Sequence, residues 1–356
     1  MSVVSYKCPH CGGGMKFIPG KGFKCEYCLS VMTQEELDAA WKDEVSELDE
    51  APSDDEQPAA RPAADGSDSM VNSCPSCGAE VITDAKTAAT TCHYCHNPVV
   101  LSSNLKGDFK PDKVIAFDVS KDKAGEMFKQ HCSGKFFLPK DFYSESSIEN
   151  LFGVYYPYWI VDASVHGRYT ARGEIEHATR VGDDRKVDIT VHDILREGDL
   201  ELNNMTSLAT GSEDAELLEY VLPFKLEKML DFSMAYLSGF RAEKRTIEKA
   251  QMKPEIEKKK QEYAEQLLSR DANKYTRKTN EKTAVTTKSE DWKYALLPVW
   301  ILVYKYAGQT YMFGINGQTG KSYGGLPVDK RKLTLFSVIV GIIAALIGFF
   351  IGRALL

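Results

Sequence analysis

Eight of the nine cysteines fall into four Cys-x-x-Cys pairs, at Cys8/Cys11, Cys25/Cys28, Cys74/Cys77 and Cys92/Cys95. One such pair places two sulfurs on one side of a tetrahedron, and a second pair closes it. The spacing therefore predicts two metal sites, each filled by a structural zinc ion. Cys8, Cys11, Cys25 and Cys28 form the first; Cys74, Cys77, Cys92 and Cys95 form the second. Four thiolates leave no open coordination position, so a catalytic zinc with a bound water is not expected. The same completeness makes the neighbouring His10, His93 and His96 bystanders. Pro9 and Pro75, with Gly12 and Gly78, suit tight turns at the first pair of each set. Units this small cannot fold on an apolar core of their own. A structural zinc supplies roughly 10–16 kcal/mol of binding energy that is also folding energy. Thiols kept for metal imply a reducing compartment rather than a disulfide framework. Cys132 stands alone and reads as a small buried apolar residue.

These residues need elements to hold them. Residues 1–32 read as one zinc ribbon and 73–105 as a second, related by an internal repeat: Cys8-Pro-His-Cys11-Gly matches Cys74-Pro-Ser-Cys77-Gly, and Cys25-Glu-Tyr-Cys28 matches Cys92-His-Tyr-Cys95. Between them, residues 33–72 read as a short helix and an acidic linker. Thr33 and Glu36 form a capping-box signature, with the helix expected to reach about Leu48. From Asp43 to Asp68 the chain is acidic and rich in Pro and Ala, a composition that cannot bury a core. Residues 106–328 read as a mainly antiparallel β-rich domain with a charged helical insertion at about 241–284, where Pro254 is expected to start a second helical segment. Within that insertion Ile247, Ile256, Tyr263 and Leu267 form a thin apolar stripe, and Lys258, Lys259 and Lys260 are interleaved with glutamates on a solvated face. A second repeat lies in the β domain. Pro157-Tyr-Trp159-Ile160 matches Pro298-Val-Trp300-Ile301, with Gly167 on Gly308 and Gly173 on Gly314, which predicts two Trp-led hairpins in one core. The fold class is α+β multidomain.

Residues 329–356 read as a transmembrane tail anchor. Leu333 to Gly352 carries no charge, and at 1.5 Å per residue spans about 30 Å, the thickness of a bilayer core. Lys330, Arg331 and Lys332 precede it directly, so the N-terminal bulk is expected in the cytoplasm and the chain in the cell membrane as a single-pass protein. Met1 to Gly14 has no apolar core and already contains the first cysteine pair, so no signal peptide is expected. Gly341, Ala345, Gly348 and Gly352 line one helix face that could contact another membrane helix or a second copy.

The net charge of −7 argues against wholesale nucleic-acid binding. Gly314-Ile-Asn-Gly-Gln-Thr-Gly320-Lys321-Ser322 nearly matches a phosphate loop, but the required first glycine falls on Ile315 and no helix follows. Asn316-Gly317 reads better as a hairpin turn. His131, His166, His177 and His192 have no metal or triad spacing, and no nucleophile or paired-carboxylate motif stands out. The chain is not expected to be an enzyme.

Four stretches, Phe109-Lys-Pro-Asp…Ala-Phe117, Gly153-Val-Tyr-Tyr-Pro-Tyr-Trp159-Ile-Val-Asp162, Tyr236-Leu-Ser-Gly239-Phe-Arg-Ala-Glu243 and Leu297-Pro-Val-Trp300…Asn316-Gly-Gln-Thr-Gly320-Lys321, carry a resemblance. With the ribbons, the chain resembles a family of bacterial membrane proteins described as transcription-factor-IIB-type zinc-ribbon proteins, some of which bear a helicase-like label. The resemblance implies no catalytic residues. It implies an integral membrane protein that works with stomatin/prohibitin/flotillin-type (SPFH) or phage-shock-type membrane-stress proteins. The expected function is a membrane-anchored adaptor that recruits protein partners at the cytoplasmic face, with the ribbons projecting on the acidic linker. The alternative is a membrane-tethered nucleic-acid-binding regulator.

Overall fold

The computed structural model describes the chain apart from residues 1–2, 5, 42–60, 63–68, 96, 106, 140–141, 143–149, 182–183, 213–214 and 356. Most of the acidic linker, the expected end of its helix near Leu48, and His96 lie outside the described residues.

The first ribbon contains β1 (Val3–Val4), β2 (Met15–Ile18), β3 (Gly22–Cys25) and β4 (Val31–Met32). Residues 34–41 form helix α1. The capping box at its start is present: the Thr33 amide donates to Glu36 Oε2 at 2.8 Å, and the Glu36 amide donates to Thr33 Oγ1 at 3.3 Å. The second ribbon contains β5 (Arg61–Pro62), β6 (Ser69–Ser73), β7 (Glu80–Asp84), β8 (Thr87–Thr91) and β9 (Pro98–Leu101).

The body follows. Its elements are β10 (Lys113–Val114), α2 (Lys121–Cys132), β11 (Phe152–Val181), β12 (Asp184–Leu208), α3 (Ala215–Tyr220), β13 (Leu230–Asp231), β14 (Arg241–Glu243), α4 (Lys249–Leu268), β15 (Arg277–Tyr306), β16 (Gln309–Asn316), β17 (Ser322–Gly324) and α5 (Lys330–Leu355). Among the described residues, eleven strands from body and ribbons form one sheet, mostly antiparallel. Three of its strands are very long: β11 and β15 have 30 residues each, and β12 has 25. At about 3.3 Å per residue a 30-residue strand has a contour near 100 Å. The order β12–β11–β15 runs out from the core as an arm. Its sequence explains its two faces. Val161, Ala163, Val165, Tyr169 and Ala171 alternate to one buried face, and Asp162, Ser164, His166 and Arg168 to the other.

The two Trp-led hairpins do share one core, with Trp159 and Trp300 each 5% exposed. The repeat is larger than the matching residues suggest, and it is interlocked. β10 runs parallel to β15 at Ala295 and Leu296, and β14 runs parallel to β11 at the matching Val154 and Tyr155. Trp300 Nε1 donates to Val119 O at 2.9 Å, and Trp159 Nε1 donates to Ile247 O at 2.9 Å. Lys113, Val119 and Lys121 thus correspond, at one constant spacing, to Arg241, Ile247 and Lys249, so α2 and α4 begin at equivalent points. Each unit is a short strand, a helix and a Trp-led hairpin, and its short strand pairs with the other unit's Trp strand. The predicted pairing of Gly167 with Gly308 does not carry over. Gly308 closes a two-residue turn (Ala307 φ 50°, Gly308 φ 80°) between β15 and β16, whereas Gly167 lies mid-strand in β11, where a Cβ would press on Leu268 and Leu200.

Several other expectations change. The supposed insertion at 241–284 is the short strand, helix and strand start of the second unit. Pro254 does not begin a new segment; it sits inside one continuous 20-residue helix. The buried stripe of α4 is Met252, Ile256, Lys260 and Ala264, while Tyr263 and Leu267 are exposed. Lys260 is therefore not on the solvated face. Its Nζ bonds Glu290, Glu257 Oε1 at 3.0 Å and Thr287 Oγ1 at 3.0 Å, a compensated buried charge. Asn316-Gly317 does open a hairpin, but the loop is longer than two residues: Asn316 Oδ1 accepts from the Gln318 and Thr319 amides, and Gly320 takes the positive φ. β17 follows, not a helix.

The ribbons do not project on a tether. β1 pairs with β9, and β8 pairs with β14, so the second ribbon continues the body sheet and the first adds a strand to it. A Cβ on Gly14 would lie 2.8 Å from Asn97 Oδ1, so the two ribbons touch. Tyr6, Met15 and Phe23 join the main core beside Tyr236, Leu237 and Phe240. The physical reason is that Phe17 and Phe23 need cover that a ribbon lacks, and the Tyr236 ring supplies it at 5.4 and 5.9 Å.

Candidate metal centres

Each ribbon brings its four sulfurs within 4.8 Å of one another. In the first, Cys8 Sγ lies 3.5 Å from Cys28 Sγ, and Cys11 Sγ lies 3.5 Å from Cys25 Sγ. In the second, Cys74–Cys95 and Cys77–Cys92 are 3.7 and 3.8 Å apart. A tetrahedral zinc with bonds of about 2.3 Å holds its sulfurs about 3.8 Å apart. The cavity at each centre therefore fits a tetrahedral thiolate-bound ion. All eight cysteines named from the sequence are brought together as two sets of four. Cys132 is not part of either; it is buried in α2, and burial pushes its thiol up to about 11.

The local backbone explains the fit. Cys8 and Cys74 each accept at their carbonyl from the amide four residues on, at Gly12 and Gly78, while their own amides donate to Gly13 O and Ala79 O. Cys25 repeats the turn with Leu29 and Ser30. The residue after each of these turns needs a left-handed backbone: Gly12 has φ 74° and Gly78 has φ 75°. Leu29 holds the same place with φ 63°, although it has a side chain and is 63% exposed. Gly13 matters for a different reason, since a Cβ there would meet the Tyr27 ring at 2.4 Å and displace it. In every turn the first cysteine faces inward: Cys8, Cys25, Cys74 and Cys92 are buried, while Cys11, Cys28 and Cys77 are exposed. Ser30 Oγ, 3.0 Å from Cys28 Sγ, pulls that thiol down to about 6, and the Ser30 backbone adds to this. At Cys28 the thiolate is thus favoured near neutral pH.

Beside the second centre, a cavity of about 280 Å³ opens between ribbon and body. His93, Lys121, Arg241 and Trp300 are among its lining residues. Arg241 is held there over the Phe152 ring at 4.1 Å.

The remaining histidines behave as structural or surface groups. His166 bridges Asp199 at 2.8 Å and Glu197 at 3.1 Å on the arm's polar face, and these carboxylates, Asp199 first, raise its pKa. His131 is held low, by burial first and then by Lys135.

What the sequence reading missed is on the arm. Past the end of α4, Val187, Ile189, Val191 and Leu195 of β12 are all about half exposed, and β12 is an edge strand there. Val187-Asp-Ile-Thr-Val191 alternates with period two, a signal that would have marked a strand with one apolar face.

α5 is long and apolar enough to cross a membrane: Lys330–Ile351 has a mean hydropathy of 2.7 and none of it is buried by the rest of the chain. Asp329 Oδ1 caps it, accepting from the Arg331 and Lys332 amides at 3.0 and 3.3 Å.

The class is thereby defined: a mixed α and β protein with a large, mostly antiparallel sheet, built on an interlocked repeat, with two four-cysteine clusters that could each hold a metal ion and one C-terminal helix of membrane-spanning length. The chain is 30% identical over 340 residues to the uncharacterized protein YdjG of Bacillus subtilis (strain 168), a match covering 95% of both chains, and it belongs to that protein's family. No protein-family model matches the chain, and no solved structure matches it.

Proposed function

We propose that this chain is a single-pass membrane protein that recruits protein partners at the cytoplasmic face, with two structural zinc ions holding together the body that presents its arm. The arm carries the reading. Among the described residues it leaves the outer edge of β12 without a neighbouring strand, and it carries an exposed apolar row toward its far end, Val187, Ile189 and Val191. Unpaired strand edges and half-exposed apolar rows are what protein partners add to. The ribbons are less suited to the recruiting role that their sequence suggested, because they are spent on packing against residues 236–243. Zinc is the metal that four thiolates in a tetrahedron select in a cytoplasmic setting. Lys330, Arg331 and Lys332 favour the cytoplasmic side for everything before α5. The resemblance to zinc-ribbon membrane proteins makes an SPFH-type or membrane-stress protein the first partner to test.

The test is crosslinking from membranes of the full chain against its Ile189→Glu variant. The variant should keep its zinc and its membrane insertion and lose the partner. An identical set of crosslinked proteins would remove the arm from the mechanism. If nucleic acid co-purifies and survives about 0.2 M salt, where phosphate contacts weaken strongly, the regulator reading replaces the adaptor one.

A further inference from the structure

We infer that the turn Gly134–Leu138, after α2, is a second membrane contact, with Phe136 entering the lipid interface beside α5. The inference rests on α5 crossing the bilayer. The turn is joined to the start of that helix: the Asp329 amide donates to Phe137 O at 2.8 Å, and Lys332 Nζ donates to Leu138 O at 2.7 Å. These bonds fix the helix entry point against the body. Phe336 is the first aromatic residue of α5, about 6 Å along the axis from Lys332. Its ring is 5.3 Å from Phe137 and 6.2 Å from Phe136. If the helix carries Phe336 into the apolar layer, the rings touching it are at the interface too. Phe136 is 67% exposed, far more than a phenylalanine serving the body's own core, and Val328 and Leu333 are exposed beside the same junction. Basic residues Lys135, Lys330 and Arg331 surround the site and are exposed, which suits anionic headgroups. Phenylalanines presented beside lysine and arginine are a common way for a segment to enter the lipid interface. Here half of that contact comes from a turn nearly two hundred residues earlier in the chain. The occupant is therefore the bilayer itself, and the two contacts together fix how the body is oriented on it.

The test reconstitutes the full chain, as wild type and as Phe136→Trp, in phosphatidylcholine–phosphatidylglycerol vesicles. The emission that the new tryptophan adds should be shifted to shorter wavelength. Lipids brominated near the headgroup end of their acyl chains should quench it more than deeply brominated ones. Unchanged zinc content checks the fold. A carbonate-resistant protein whose added emission is water-like and unquenched overturns the second contact and leaves the spanning helix intact. Extraction by carbonate overturns both.

Discussion

The two interlocked units begin alike and then diverge, and what each helix covers explains how. α2 has 12 residues and lays Phe128 on Phe313 of the short β15–β16 hairpin at 5.0 Å. α4 has 20 residues and lies along the long β11–β12 hairpin. The buried positions correspond: Ala124, Phe128 and Cys132 in α2, Met252, Ile256 and Lys260 in α4. The lids on the two tryptophans differ in kind. Phe117 packs on Trp300 at 4.9 Å, while the matching Arg245 sits over Trp159 at 5.0 Å and pairs with Glu248 at 3.2 Å. The outer edges differ as well, since β10 takes β13 and β14 takes the second ribbon. A duplicated unit can thus keep its hydrogen-bonded frame while the first copy gains the long hairpin of the arm and the second is covered by the ribbons.

Removing the metal should expose that asymmetry most. A structural zinc at each site would be worth on the order of 10 kcal/mol to its ribbon. Chelation, or Cys25→Ser, should open residues 236–247 to amide exchange well before residues 112–119. Because β1 pairs with β9, losing the first site should also loosen the second ribbon. Equal protection of the two segments by exchange mass spectrometry would mean that the ribbons are accessories to a self-sufficient body.

Exchanging the two lids should be unequal. Phe117→Arg buries a guanidinium beside Ser120 where its counterpart has Glu248, at a cost of about 3–5 kcal/mol for an unpaired buried charge. Arg245→Phe should cost under about 2 kcal/mol, an aromatic for a stacked cation. Thermal unfolding of the two variants in detergent measures the difference, and similar losses would mean that the lids are chemically equivalent after all.

Lys260 and Cys132 offer a third contrast. Burial alone would raise the Glu290 carboxyl, but hydrogen bonds from Lys260 and Trp292 outweigh it and hold the group below its ordinary value. Lys260→Ala leaves that carboxylate without its ion and should cost about 3 kcal/mol, against about 1 kcal/mol for Cys132→Ala. Adding Glu290→Gln should recover part of the first loss, as a double-mutant cycle reads it.

The smallest effect is on the arm alone. Asp199, then Glu197, raise the His166 pKa, so the folded arm favours the charged imidazole. That contribution is complete below the unfolded value of about 6.5. It is lost as pH rises through the higher folded value. Amide exchange in the middle of β11 and β12 should therefore speed up, beyond its intrinsic pH dependence, between about pH 6 and 8. His166→Gln should abolish the excess and leave the β15–β16 hairpin unchanged.

The sequence by itself determined the two cysteine sets, the capped start of α1, the paired Trp strands and the membrane-length helix. Each is written in residue types within a short span, where thiol spacing, capping or unbroken apolarity admits one reading. Tertiary structure alone decided the rest. That β10 and β14 cross over to the other unit's strand depends on backbone pairing between segments far apart, and Lys113-Val114 and Arg241-Ala242 share too little side-chain chemistry to announce it. The burial of Lys260 reads as a surface charge until Glu290 is placed beneath it. The ribbons looked detachable because the linker is acidic and proline-rich, yet the aromatic face of Phe17 and Phe23 needed cover that only residues 236–240 supply. Phe136 meets Phe336 because a backbone hydrogen bond from Asp329 to Phe137 joins two segments far apart in the chain, a contact set by packing and invisible to any local pattern.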